Sequence, residues 1–183
     1  VEPRYRPIAQ ALHWLIAVSV IGLIIAGLIV HYNLIPKPGR VTLALLHISV
    51  GLTILGLMLL RLAYRLGRTP PRLPETIAPH ERALAAAGHW SFYALILAMP
   101  VFGVLFVEGA GRPVTWFGLV RLPQFVGKSQ AIHHDFAFLH FWGGIVLIVL
   151  LVVHVGAVIA HERRGQRVLI RMMPRRSPSN GSR

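Results

Sequence analysis

Residues 136–160 read FAFLHFWGGIVLIVLLVVHVGAVIA, 25 positions without an Asp, Glu, Lys or Arg. A helix rises ~1.5 Å per residue and the hydrocarbon core of a bilayer is roughly 30 Å thick, so about 20 apolar residues cross it. Three further uncharged stretches meet that length: 8–30, 41–60 and 83–107, of 23, 20 and 25 residues. Unpaired backbone groups are too costly in lipid for anything but helices or closed barrels, and these runs are too long for barrel strands and lack their polar alternation. The predicted fold is therefore all-α and integral to the membrane. It is a four-transmembrane-helix bundle with helices at about 8–30, 41–63, 83–107 and 136–160, in a domain spanning 1–162 that is followed by a basic tail at 163–183.

Composition supports this. Of 183 residues, 55% are hydrophobic and 14% charged, against about 25% charged in ordinary soluble domains. The first stretch follows Arg4 and Arg6 as a secretory signal would, but it exceeds the usual ~7–15 apolar residues and no A-x-A-like site ends it, so it is read as a retained helix. With no cysteine, disulfides, c-type haem attachment and thiolate-bound clusters are excluded, and histidine is left as the natural metal ligand.

The net charge of +13 does not require nucleic acid, because the basic residues lie in connections and tail. The N-terminal arm, the connection at 61–82 and the tail hold 14 of the 19 Lys and Arg; the other two connections hold 5. That asymmetry predicts that both termini are cytoplasmic. Residues 175–183 are expected to lie disordered on the inner membrane surface. The connection carrying Trp116, Phe117 and Phe125 is expected to cap the bundle's outer end.

Five of the ten histidines, His13, His47, His89, His140 and His154, fall within the apolar stretches. Ionisable side chains at such depth usually face the bundle interior and serve a function. His140 and His154 are fourteen residues apart, four turns less about 40°, so they share a face and stand about 21 Å apart along the axis. One lies near each membrane surface, and each can ligate its own haem. Depth offers His47 as the partner of His140 at the outer side. At the inner side it offers either His13 or His89 to His154. Gly51 and Gly144, each four residues beyond a histidine, leave room for a flat macrocycle.

These residues resemble the bacterial cytochrome b561 family, in particular its short di-haem members that act as superoxide oxidase. The resemblance rests on Leu12-His13-Trp14, His47-Ile-Ser-Val-Gly51, Arg61-Leu-Ala-Tyr-Arg65, Gly88-His89 with Tyr93 and Pro100, the pair His140 and His154, and Arg171-Met-Met-Pro174. It implies two b haems, the inner held by His13 and His154 and the outer by His47 and His140. It also implies superoxide as electron donor at the periplasmic face and ubiquinone as acceptor. The same scaffold serves as the cytochrome b subunit of hydrogenases and other membrane dehydrogenases, and this compact chain resembles the stand-alone form more.

Within that reading, the outer connections supply Lys37, Arg40, Arg112, Arg121 and Lys128 against Glu108 and Asp135, a positive field that attracts a small anion. Arg112 and Lys128 are the steering residues singled out. Quinone reduction consumes protons, so His89 with Trp90 is the candidate quinone or propionate contact. A haem-free, histidine-rich membrane transporter or assembly protein is the reading from a different class.

Overall fold

The computed structural model describes residues 4–68, 71, 74 and 76–174. Its frame is four helices, α1 (Pro7–His31), α2 (Lys37–Leu66), α3 (Pro79–Gly109) and α4 (Gln130–Arg163), each long and apolar enough to cross a membrane. The end at which α1 begins and α4 finishes is termed inner, the opposite end outer.

The helices run beyond the uncharged stretches: α2 starts at Lys37 and α4 at Gln130. Charge marks where hydrocarbon stops, whereas caps decide where a helix stops. Pro7, Pro38 and Pro79 stand in the first turns of α1, α2 and α3, where a missing N–H costs nothing and φ is already helical. The Ser129 hydroxyl accepts from Ile132 N at 3.4 Å to open α4, and Glu81 reaches back to Ala78 N at 3.3 Å in α3.

α1 packs on α2, α2 on α3 and α3 on α4. α4 meets α1 and α2 mainly through long side chains, as where His31 stacks on Phe141 with ring centroids 4.5 Å apart. Ile16, Ile54, Met58, Ile96 and Leu147 join all four helices in one buried layer. Leu147 is seven residues from both His140 and His154, so this layer separates two histidine levels. Large apolar side chains elsewhere, such as Leu59, Val101 and Val152, face outward, as a lipid solvent requires.

The outer connection between α3 and α4 contains a short hairpin, β1 (Thr115–Trp116) paired with β2 (Val120–Arg121). Where an outer cap was expected, the hairpin lies along the flank of α2. Phe117 N donates to Ser49 Oγ at 2.9 Å and Trp116 Nε1 to Thr53 Oγ1 at 3.0 Å. Its root is fixed by Glu108, 2% exposed, whose carboxylate accepts from Phe125 N at 2.9 Å and Val126 N at 3.1 Å.

At the inner end, a 3-10 turn (Leu169–Met172) returns to α1. Gln10 Nε2 stands 2.9 Å from the Tyr5 carbonyl, 3.2 Å from that of Arg171 and 3.1 Å from that of Met173. Trp14 Nε1 donates to Met172 O at 2.8 Å. The segment read as a tail from residue 163 is thus bound to α1 in its first part, through Pro174; the tail at 175–183 lies outside the described residues.

Candidate functional site

The spacing of fourteen seen on α4 recurs on every helix of the bundle: His13 and Gly27 on α1, His47 and Arg61 on α2, His89 and Gly103 on α3, His140 and His154 on α4. Each pair shares a face about 21 Å apart. Two levels result. The outer holds His47, His140, Gly27 and Gly103; the inner holds His13, His89, His154 and Arg61.

At the outer level the rings of His47 and His140 stand edge to face with centroids 5.9 Å apart. Two imidazoles bound to one metal ion at ~2.0–2.1 Å place their ring centroids about 6 Å apart, so the spacing would suit a shared iron. His140 Nδ1 lies 3.0 Å from Met99 O. A carbonyl only accepts, so Nδ1 carries the proton and Nε2 presents its lone pair, the tautomer a metal ligand needs. The Leu23 carbonyl is near His47, yet His47 Nδ1 is buried without a partner in hydrogen-bond geometry.

Glycines seat both rings. A Cβ on Gly103 would stand 3.2 Å from His140 Cε1, and one on Gly27 would stand 3.4 Å from His47 Cε1. Gly51 has nothing within 4 Å of where a Cβ would be, and Gly144 meets only Met99 Cε at 3.9 Å, so these two leave space beside the histidines. Gly27 and Gly103 were not singled out in the sequence. Their signal was the interval of fourteen from His13 and His89.

At the inner level the structure brings three rings together. His89 and His154 have centroids 6.0 Å apart, and His13 lies within electrostatic reach of both. His13 Nδ1 is 3.4 Å from Arg61 Nη2, and Arg61 Nη1 donates to Ala9 O at 3.0 Å. A guanidinium only donates, so His13 Nδ1 accepts there and the ring proton sits on Nε2. Ligation through Nε2 requires that contact to give way. The inner level thus offers His154 with a choice of two partners, as depth alone had left it.

Trp90 lies on a more exposed side than His89, and Arg65 is near both. Trp90 is half exposed and packs 5.6 Å from Tyr93, with the Arg65 guanidinium 5.4 Å above its ring and 5.6 Å above that of Tyr93. Arg65 and Tyr93 join this inner corner, although the sequence had marked them only as part of a resemblance. Arg112 and Lys128 are exposed at the outer end. A Cβ on Gly111 would meet the Lys128 stem at 3.2 Å, so Lys128 packs against the residue that precedes Arg112. Among the remaining histidines, His133 Nδ1 bonds Phe106 O at 3.0 Å, and His134 stands 3.6 Å from Asp135 at the surface.

A sequence model of the family described as prokaryotic cytochrome b561 matches residues 4–175. The chain is 30% identical over 168 residues to cytochrome b561 homolog 2 of Escherichia coli (strain K12), covering 87% of this chain and 85% of that protein. It is 27% identical over 175 residues to the probable superoxide oxidase CybB of Yersinia pestis, covering 94% and 97%. Four apolar helices carrying two levels of inward histidines, matched over nearly their whole length, place the chain in the prokaryotic cytochrome b561 family of membrane electron-transfer proteins, which normally bind haem b.

Proposed function

We propose that the protein is a di-haem superoxide:ubiquinone oxidoreductase of the bacterial inner membrane, with both termini cytoplasmic. In balance, two superoxide anions, one ubiquinone and two protons give two dioxygen molecules and one ubiquinol. The observation that carries this reading is the pair of histidine levels, about 21 Å apart with an apolar layer between them, with Arg112 and Lys128 exposed at the outer end. The likeness to a probable superoxide oxidase supports it.

His47 and His140 would hold the outer haem, and His154 with His13 the inner one. When bound, haem would supply one-electron chemistry, tuned by these imidazoles and the dry interior, and two histidines per haem would suit electron transfer. Arg112 and Lys128 collect the anion. The layer of Ile54, Met58, Ile96 and Leu147 excludes water between the levels, so that electrons cross without protons. His89, titratable and close to His154, serves the quinone side, where protons are taken up, and Trp90 with Arg65 and Tyr93 flanks it.

The test is a purified, haem-loaded chain in liposomes containing ubiquinone, supplied with enzymatically generated superoxide. The expected result is reduction of the haem α-band followed by ubiquinol formation at two superoxide per quinol. A fully haem-loaded chain that ignores superoxide would overturn the reading in favour of an electron-transfer subunit that receives electrons from a dehydrogenase. A colourless chain would overturn the haem reading itself.

A further inference from the structure

Arg40 lies in the first turn of α2, seven residues before His47. Seven residues are two turns less about 20°, so Arg40 shares the face of His47 and stands about 10.5 Å outward of it. Its Nε is buried and makes no hydrogen bond, and among the described residues no carboxylate forms an ion pair with it. A buried guanidinium nitrogen without an acceptor loses its hydration with no return, which costs more for a charged group than for a neutral one. An acceptor is therefore the missing element of this corner.

The surroundings say where that acceptor comes from. Arg40 lines a crevice of about 260 Å³ together with Val30, Lys37, Val41 and Ala44. Ala44 lies between Arg40 and His47 on the same face and is small. On α1, Val30 is one turn outward of Gly27, the residue that seats the His47 ring. The crevice thus sits directly outward of the His47 imidazole on both helices. A broad, flat group bound through His47 and extending outward from it would bring its edge within reach of Arg40, about 10.5 Å further out on the same face of α2. The edge of haem b that carries charge has two propionate carboxylates.

We propose that Arg40 is the counter-ion of an outer-haem propionate, fixing the edge of the cofactor and raising its reduction potential. This rests on the reading that His47 and His140 hold that haem. The sign follows from charge: reduction adds an electron, and a fixed cation nearby favours the more negative state. A guanidinium suits the task because its planar fork matches a carboxylate and it is always charged. Lys37, which also lines the crevice but is exposed, adds a second positive charge there.

The test is an equilibrium redox titration of the haem-loaded full chain in liposomes, with the outer haem identified as the signal that His47→Ala removes. At the parent's outer midpoint, Arg40→Gln is expected to shift the ratio of oxidised to reduced outer haem about tenfold toward oxidised, a fall of about 59 mV for a one-electron couple. The inner midpoint should stay in place, and Arg40→Lys should stay within about twofold of the parent. Loss of the outer haem in Arg40→Gln but not in Arg40→Lys supports the proposal equally. An unmoved outer midpoint overturns it, as does an equal shift of both haems, a Lys variant that behaves like Gln, or haem loss in both variants. Phospholipid phosphate per chain is measured in parallel: a drop in Arg40→Gln with unmoved midpoints would make the crevice a headgroup site and overturn the proposal. Retention of both haems in His47→Ala would instead remove the ligand reading beneath it, an outcome distinct from an unmoved midpoint in Arg40→Gln.

Discussion

The ligand set is decided by single atoms. His140 is prepared for iron by Met99 O, 3.0 Å from its Nδ1, whereas His13 is held by Arg61, 3.4 Å from its own Nδ1. If His13 is the inner ligand, as proposed, His13→Ala and His154→Ala should each remove the inner haem from the optical spectrum, while His47→Ala and His140→Ala remove the outer one. Loss of the inner haem in His89→Ala with its survival in His13→Ala would reassign that position to His89. The glycines allow a finer test. A Cβ at Gly27 would make ordinary contact with the His47 ring at 3.4 Å, but at Gly103 it would stand 3.2 Å from His140 Cε1 and 3.4 Å from Nδ1. The His140 ring would have to move by a few tenths of an ångström, against its bond to Met99. Gly103→Ala should therefore weaken outer-haem retention by about tenfold or more, the range found when an outer-shell partner of a metal ligand is disturbed, and Gly27→Ala should leave it near the parent. Haem titration of the apoprotein measures both, and equal affinities would remove the seating role of Gly103.

Between residue and bundle stand two elements that the hydropathy pattern could not place. The hairpin of β1 and β2 is fixed by Ser49 and Thr53 on α2, two hydroxyls inside an apolar stretch whose partners lie more than sixty positions away. Local periodicity carries no record of such a pairing. The 3-10 turn at Leu169–Met172 is the second case: composition marks its surroundings as a basic tail, while its carbonyls are held by Gln10 and Trp14. Gln10→Ala should remove a donor from the carbonyls of Tyr5, Arg171 and Met173, at a cost of about 1 kcal/mol, and loosen residues 165–174 for proteolysis. Limited proteolysis and thermal melting in detergent check this, and a variant as resistant as the parent would show that the bonds from Tyr5 N and Trp14 suffice to hold the turn. By contrast, the four helices were legible because uncharged runs of 20 residues or more have almost no other solution in lipid. The outer histidine pair was legible because depth and a shared face left one partner. The inner pair was not, since three helices bring a histidine to one level and only side-chain detail distinguishes them.

At the scale of the whole molecule, charge is arranged by side. Fourteen of the 19 basic residues belong to the N-terminal arm, the connection at 61–82 and the segment after 162, so a reporter fused after Arg183 should be active only on the cytoplasmic side; activity outside would invert the assignment. The outer end has fewer cations but still an excess of them, five Lys and Arg against Glu108 and Asp135 in its connections. Arg112 and Lys128 are exposed and present their charge to solvent. A fixed positive field concentrates a small anion at the surface and raises its encounter rate without any change at the iron. Replacing both by Gln should slow haem reduction by superoxide several-fold, while reduction by a neutral donor and the haem spectra stay as in the parent. Salt provides the internal control, because the Debye length falls from ~10 Å at 0.1 M to ~3 Å at 1 M. Parent and variant rates should converge as salt rises, with nearly all of the change on the parent's side. Stopped-flow haem reduction across that range measures it, and a parent rate indifferent to both salt and the substitutions would exclude steering by these residues.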